Sequence, residues 1–372
     1  MRRKIILWTG AVFLLGAVGF GGYTIYYYET VDLPDIELRE ARDRIAQAKQ
    51  LESEKYSPKH FDMAETYYDS AITEWKSQNK KLFFLREHDR VKALAIRSAS
   101  FAGKAIEESG SNASDLRSSL RGKIQYMNSL IDEYNTLYAH IPQAEKTQKA
   151  VFRGRLLMTE AFRAYESGDL HRSEDIVKEA SALIEPSMKG LKRSLKEYFD
   201  NVPGWKDLVN KAVKKSASTG KVAIVVDKYA HKLYVYKSGK LLHTFKAELG
   251  PNWIGDKRYR GDNATPEGTY SVKTKKSGRE TKYYKALLLD YPTAADKQNF
   301  EQAKKSGSLP KGAKIGSLIE IHGDGGRGVD WTNGCVALKN ADMDVLFGLT
   351  SVNTSIVIVG SLRSLDEIKG SK

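Results

Sequence analysis

Apolar residues recur at three- and four-residue spacings across 33–199. That is the period of amphipathic helices, whose single apolar stripe must be buried against a neighbour. One such run is Leu38, Ala41, Ile45, Ala48 and Leu51, and another is Phe61, Ala64, Tyr67, Tyr68, Ala71, Ile72 and Trp75. Between them Tyr56-Ser57-Pro58 predicts a turn. Ser57 is the expected helix cap, and Pro58 takes the first helical position, where a missing N–H costs little. The two runs predict a helical hairpin. Further helices are expected over 82–108, 113–139 and 143–167, and Gly168-Asp169 breaks the pattern before 171–185 and 189–198.

The pattern changes after residue 200. Asn201-Val202-Pro203-Gly204 and the Ser-, Thr-, Gly- and Lys-rich 214–220 predict a linker over 201–220. Beyond it, 222–226, 233–236 and 241–245 are short β-branched and aromatic runs, the last two joined by a turn at 237–240. More strands are expected at 268–273, 285–290, 318–322, 335–338 and 355–359, with a short helix at 341–349. The fold class is therefore multi-domain α plus β: a helical domain over 33–200, a β-rich domain over 221–360, and a tail over 361–372.

The N-terminus adds a targeting element. Met1-Arg2-Arg3-Lys4 is basic, 5–22 carries no charge, and Tyr23, Tyr26, Tyr27 and Tyr28 follow. This predicts a transmembrane helix over 1–28 that anchors the chain in the cytoplasmic membrane, with the remainder extracytoplasmic. A signal peptide cleaved near Ala17-Val18-Gly19 is the alternative. A hydrophobic content of 41% with 28% charged residues excludes wholesale disorder and a polytopic membrane protein. The formal charge of +14 suits an anionic partner such as membrane lipid or cell-wall polymer. No nucleic-acid motif accompanies it, so nucleic acid is not an expected partner.

The chain has one cysteine, Cys335, so no intramolecular disulfide can form. It lies 13 residues after His322, within Ile319-Glu320-Ile321-His322-Gly323, a Gly-rich stretch over 324–328, and Asp330-Trp331-Thr332-Asn333-Gly334-Cys335. That separation is too long for one helical face but suits a strand end, a loop and the next strand start. A thiol attacks carbonyls as thiolate, and a free thiol with pKa ~8.5 is mostly protonated at neutral pH. A neighbouring imidazole can take that proton and return it to a leaving amine. Gly334 permits close approach of backbone to substrate, and N–H groups around Gly334, Asn333 and Thr332 are candidates for holding an oxyanion or orienting the nucleophile. The Gly323 carbonyl could fix the His322 tautomer. One Cys and one His fall short of a zinc site, and the Gly-rich stretch lacks the Lys-Ser/Thr ending of a phosphate-binding loop, so no metal or cofactor is expected.

His322-Gly323, the loop, and Thr332-Asn333-Gly334-Cys335 resemble the active-site signature of the YkuD-type L,D-transpeptidases. Thr265-Pro266-Glu267-Gly268 is similar to that family's turn before a strand, and 222–236 to its opening hairpin. The resemblance covers about 221–360. One departure is Ala337, where members commonly carry Arg; with Asp330-Trp331-Thr332 it is similar to the murein transpeptidase branch that includes stem-peptide hydrolases. The resemblance implies that Cys335 attacks the third residue of a peptidoglycan stem peptide, expels D-alanine, and passes the thioester to an amine, as a 3-3 crosslink or a wall-attached protein. Water as acceptor would make a carboxypeptidase or hydrolase. Asp330, Trp331, Tyr283, Tyr284 and Tyr291 are candidates to line the groove. In the helical domain, Ala161, Ala164, Tyr165, Gly168-Asp169 and Ala180 resemble a tetratricopeptide hairpin without a fixed period. That domain is expected to act as a spacer or protein-partner platform; a non-catalytic wall scaffold acting through it is the alternative of another class.

Overall fold

The computed structural model describes residues 2–30 and 32–370. Eight helices come first: α1 (Arg2–Thr30), α2 (Asp35–Gln50), α3 (Ser53–Tyr56), α4 (Pro58–Asn79), α5 (Asp89–Glu133), α6 (Glu145–Ser167), α7 (Leu170–Phe199) and α8 (Val202–Thr219). The chain divides into two compact units, residues 1–123 with 162–174, and residues 124–161 with 175–372.

In the first unit the expected hairpin forms from α2 and α4, and α5 joins it. Leu38, Ala41, Ala71, Val91, Ala95 and Ala99 make one core cluster. Ile45, Ala48, Phe61, Ala64, Ala102 and Ala105 make another. Alanine at most of these positions lets helix backbones approach closely. Ser57 does not cap α4; its hydroxyl donates to Glu108 at 2.7 Å instead. Phe20, Tyr23 and Tyr27 of α1 surround the Phe83 ring at 5.8, 6.1 and 5.1 Å between centroids.

The membrane anchor expected over 1–28 is not supported. Among the described residues no helix is long and apolar enough to cross a membrane. The membrane-anchored placement that rested on this helix is not supported.

Two expected breaks among the helices are absent. The predicted helices 82–108 and 113–139 are largely one helix, α5, because Gly110 and Ser111 are tolerated within it. Helix α7 likewise runs through Pro186. The expected linker 201–220 is mostly α8, whose Val202, Trp205, Val209, Ala212 and Ser216 are buried at helical spacing. Trp205 seats against Gly360, where a Cβ would lie 2.3 Å from the indole.

The second unit carries eight strands: β1 (Val222–Asp227), β2 (Lys232–Lys237), β3 (Lys240–Lys246), β4 (Gly268–Ser277), β5 (Lys285–Leu289), β6 (Glu320–His322), β7 (Val336–Ala337) and β8 (Ser355–Val359). They form one sheet in the order β3-β2-β1-β8-β4-β5-β6-β7. Pairs β1/β8 and β6/β7 are parallel and the rest antiparallel. The central β1 and β8 are almost continuously buried, in keeping with their Val- and Ile-rich runs. Glu248, just past β3, bridges to Ala337 of β7 through N–H···O bonds of 2.9 and 2.8 Å. Segments from the two ends of the sheet thus meet, and the sheet curls. Helices α9 (Ala294–Lys305), α10 (Asn340–Leu349) and α11 (Leu365–Lys369) complete the unit. No helix was expected at α9; it has one buried apolar residue, Phe300, but opens on a Thr293/Asp296 capping box.

A buried ion pair supports the turn before β4. Lys228 has no exposed side-chain surface and reaches Glu267 at 2.7 Å, donating also to the carbonyls of Gly255 at 2.6 Å and Thr265 at 2.9 Å. Tyr198 donates to the same Glu267 carboxylate at 2.6 Å. Removing one member leaves the other charge buried and unpaired, which costs about 3–5 kcal/mol. Lys228→Met is expected to lose that much in urea unfolding followed by circular dichroism. A loss below ~1 kcal/mol would show that the pair is not a support.

Candidate active site

The site is set by the pairing of β6 with β7, in which Ile321 lies opposite Val336 and His322 opposite Ala337. Extending that register by one residue puts Cys335 beside Glu320 and diagonal to His322. Alternation along each strand then gives Glu320, His322 and Cys335 the same face. The Glu320 N–H points at the Cys335 sulfur at 3.4 Å, and Sγ lies 3.7 Å from the Leu318 carbonyl oxygen.

The turn into Cys335 is fixed by Thr332. Its hydroxyl donates to the Cys335 carbonyl at 2.7 Å and accepts from the Gly334 N–H at 3.2 Å. Gly334 has φ +115°, and a Cβ there would sit 2.4 Å from the Ala264 carbonyl oxygen. Only glycine meets both demands.

His322 is fully buried. Its Nδ1 is 2.6 Å from the Gly323 carbonyl oxygen, which can only accept, so Nδ1 carries the proton and Nε2 the lone pair. Nε2 is buried with no hydrogen-bond partner among the described residues. Tyr283 stacks on the ring with centroids 3.5 Å apart and planes 6° from parallel. Trp331 meets it edge-on at 5.7 Å. Burial holds the imidazole below its usual pKa, against the opposing effect of the Gly323 carbonyl. Burial also pushes the Cys335 thiol up, and the Glu320 N–H partly offsets it. Both shifts favour a neutral thiol beside a neutral imidazole at rest. Cys335, Asn333, Tyr283, Glu320, Lys276 and Lys282 line a cavity of ≈ 550 Å³.

Residues 221–358 match the family model described as the L,D-transpeptidase catalytic domain, YkuD. This region is a YkuD domain. YafK of Escherichia coli (strain K12), named among the L,D-transpeptidases, is 29% identical over 161 residues, covering 40% of this chain and 58% of its own length. The chain thus spans under two thirds of the curated relatives it matches. Among solved structures, Bdellovibrio bacteriovorus Bd1075 aligns with a TM-score of 0.31 at 23% identity, covering 40% of this chain and 51% of that one. An L,D-transpeptidase from Mycobacterium smegmatis aligns with a TM-score of 0.23 at 18% identity, covering 37% and 58%.

Of the expected site residues, the YkuD domain brings together His322, Gly323, Thr332, Asn333, Gly334 and Cys335, with Tyr283 and Trp331 on the imidazole. Tyr284 sits against Gly323 but is exposed, with its hydroxyl 3.2 Å from Asp344. Tyr291 is buried against Tyr270 and is core, not groove. Asp330 turns away from the cavity, binding His231 at 2.8 Å and the Leu249 N–H at 2.8 Å.

Two contributors were not anticipated. Glu320 reaches Lys276 at 2.7 Å at the cavity wall; the period-two rule that places it on the His322 face could have found it. Glu248 accepts from the N–H groups of Gly326 at 3.0 Å and Gly328 at 2.7 Å and from the Trp331 indole at 2.8 Å. No local pattern marks it, because its partners lie about eighty residues on.

The raised thiol has a direct readout. Alkylation of the full chain by iodoacetamide across pH, followed by intact mass, should give a midpoint above the ~8.5 of free cysteine. A midpoint at or below that value rules out the upward shift of the thiol.

Proposed function

We propose that the YkuD domain is an L,D-transpeptidase in which Cys335 is the nucleophile and His322 the general base and acid, acting on peptidoglycan stem peptides. The family match implies an acyltransferase of the peptidoglycan-modifying kind. The observation that carries the specific reading is the buried, unpartnered Nε2 of a His322 tautomer held by the Gly323 carbonyl, one strand from the only cysteine.

In this reading the carbonyl of the third stem residue, a diamino acid attacked at its L-centre, enters the cavity above Cys335. The thiol proton passes to Nε2 as the S–C bond forms. Since the resting pair is neutral, this transfer accompanies attack and does not precede it. The Gly334 N–H already donates to Thr332, so the Cys335 N–H and the Asn333 amide are assigned to the oxyanion. On collapse the C–N bond breaks and the imidazolium Nε2–H protonates the departing D-alanine amine. The Gly323 carbonyl and the two aromatic rings keep the ring in one orientation throughout. An acceptor amine then attacks the thioester, gives its proton to Nε2, and sulfur leaves as the thiol.

Incubating the chain with a stem tetrapeptide should give an adduct whose mass is that of the peptide less D-alanine. Cys335→Ala should form none, and His322→Asn should slow its formation by roughly 10²–10⁴-fold. An undiminished adduct in Cys335→Ala excludes the assignment. Adding an amine acceptor separates transfer from hydrolysis, since only transfer yields the amide. The acid limb of kcat/KM should fall below pH ~6.5: His322 must be neutral to act, and its lowered pKa keeps it neutral further into acid. A limb above 6.5 contradicts that role.

A further inference from the structure

The cations around the Cys335 cavity differ in what they are free to do. Lys257 is buried and paired with Asp262 at 2.7 Å. Lys276 is paired with Glu320 at 2.7 Å. Glu280, the other acid on the lining, accepts from the Ser277 N–H within a capping box. Ala337, on the strand that follows the nucleophile, is buried and brings no charge. Two exposed cations remain on the lining, Arg260 and Lys282, and neither makes an ion pair among the described residues.

Both are presented from fixed positions. Arg260 sits on a loop whose hub is the Asp262 carboxylate, which collects the Lys257 ammonium at 2.7 Å and the N–H groups of Arg258 at 2.6 Å, Tyr259 at 3.0 Å and Ala264 at 3.0 Å. The Arg260 N–H adds a bond of 2.8 Å to the Lys314 carbonyl. Lys282 follows the short helical turn Gly278–Glu280, and its ammonium lies 4.9 Å from the centroid of the Tyr283 ring, the ring that stacks on His322. Lys282 is thus the cation nearest the dyad along a continuous stack, and its charge is felt by both Cys335 and His322.

We infer that Lys282 and Arg260 determine specificity by binding carboxylates of an anionic donor: Lys282 the carboxylate next to the scissile bond, Arg260 one further along. The donor's identity rests on the reading above. On a stem tetrapeptide the first would be the free carboxylate of the leaving D-alanine, and the second the side-chain carboxylate of a diamino acid such as diaminopimelate. With Lys257, Arg260, Lys276 and Lys282 against Glu280 and Glu320, the lining carries a net positive charge, which raises the local concentration of an anionic ligand, by about 10-fold for a focused cleft. A cation in low-dielectric surroundings also gains from a partner that water does not replace.

Two measurements on the full chain test this. The first needs no peptide: Cys335 is alkylated with iodoacetate and with iodoacetamide, reagents alike in size and leaving group that differ in a carboxylate. The iodoacetate-to-iodoacetamide rate ratio should exceed that of free cysteine by about 10-fold. It should return toward the free value in Lys282→Met and be kept in Lys282→Arg. The ratio cancels any change in thiol pKa, which moves both rates together. A ratio unchanged by both Lys282→Met and Arg260→Met overturns the inference. The second compares tetrapeptides amidated at the terminal or the side-chain carboxylate. Terminal amidation should lower kcat/KM about 10-fold in the wild type and have little effect in Lys282→Met; side-chain amidation should interact in the same way with Arg260→Met. Equal losses on acid and amide peptides in these variants also overturn it. If no tetrapeptide acylates Cys335 while the alkylation ratio responds to Lys282, the donor assignment fails and the carboxylate site stands.

Discussion

Two rungs of parallel pairing between β6 and β7 set where thiol and imidazole meet. So short a contact could not hold that geometry alone, since a one-residue slip turns every side chain to the opposite face. Its register is pinned from outside. The Leu338 N–H donates to the His322 carbonyl at 2.8 Å, Glu248 pairs with Ala337 on the far edge, and the Ala264 carbonyl occupies the space a side chain on Gly334 would need. Each constraint comes from outside the two paired rungs, so the placement of His322 and Cys335 is a product of the closed sheet and not of their local sequence alone.

Within that frame polar groups are buried in completed sets. Lys228 with Glu267 and Tyr198, and Lys257 with Asp262, place cations where hydrophobic side chains would otherwise pack. Such pairs add little net stability over well-packed apolar residues. Their geometric effect is clearer: they tie the turns at 255–267, which form one wall of the cavity, to the sheet behind. His322 Nε2 is one of several buried polar atoms without a hydrogen-bond partner among the described residues, His88 and His171 holding others; what marks it is its place one strand from Cys335.

Much of this was legible in the chain. Buried strands of a sheet read as short runs of Val, Ile and aromatic residues, and every expected strand formed. The residues of His322-Gly323 and Thr332 to Cys335 converge because they sit at a strand end, in a turn and at the next strand start, as their spacing suggested. What escaped notice was non-local or ambiguous. Glu248 and the pairing of His231 with Asp330 depend on sheet closure across many tens of residues. Asp330 lies beside the signature in sequence, yet the turn directs it elsewhere. Helix α8 resembled a linker because Pro203 and Gly204 occupy its first turn, where both are tolerated. At the N-terminus a basic start and an uncharged run resembled a membrane span, which no helix among the described residues supports.

Glu248 joins two things that are usually separable. Its backbone closes the sheet against β7, while its carboxylate grips the glycine-rich loop and the Trp331 indole. Loops beside catalytic groups commonly swing on their own hinges. Here the latch is also a rung of the ladder, so lifting the loop while Glu248 holds it pulls on the strand that follows Cys335. The loop therefore behaves as part of the frame instead of as a door.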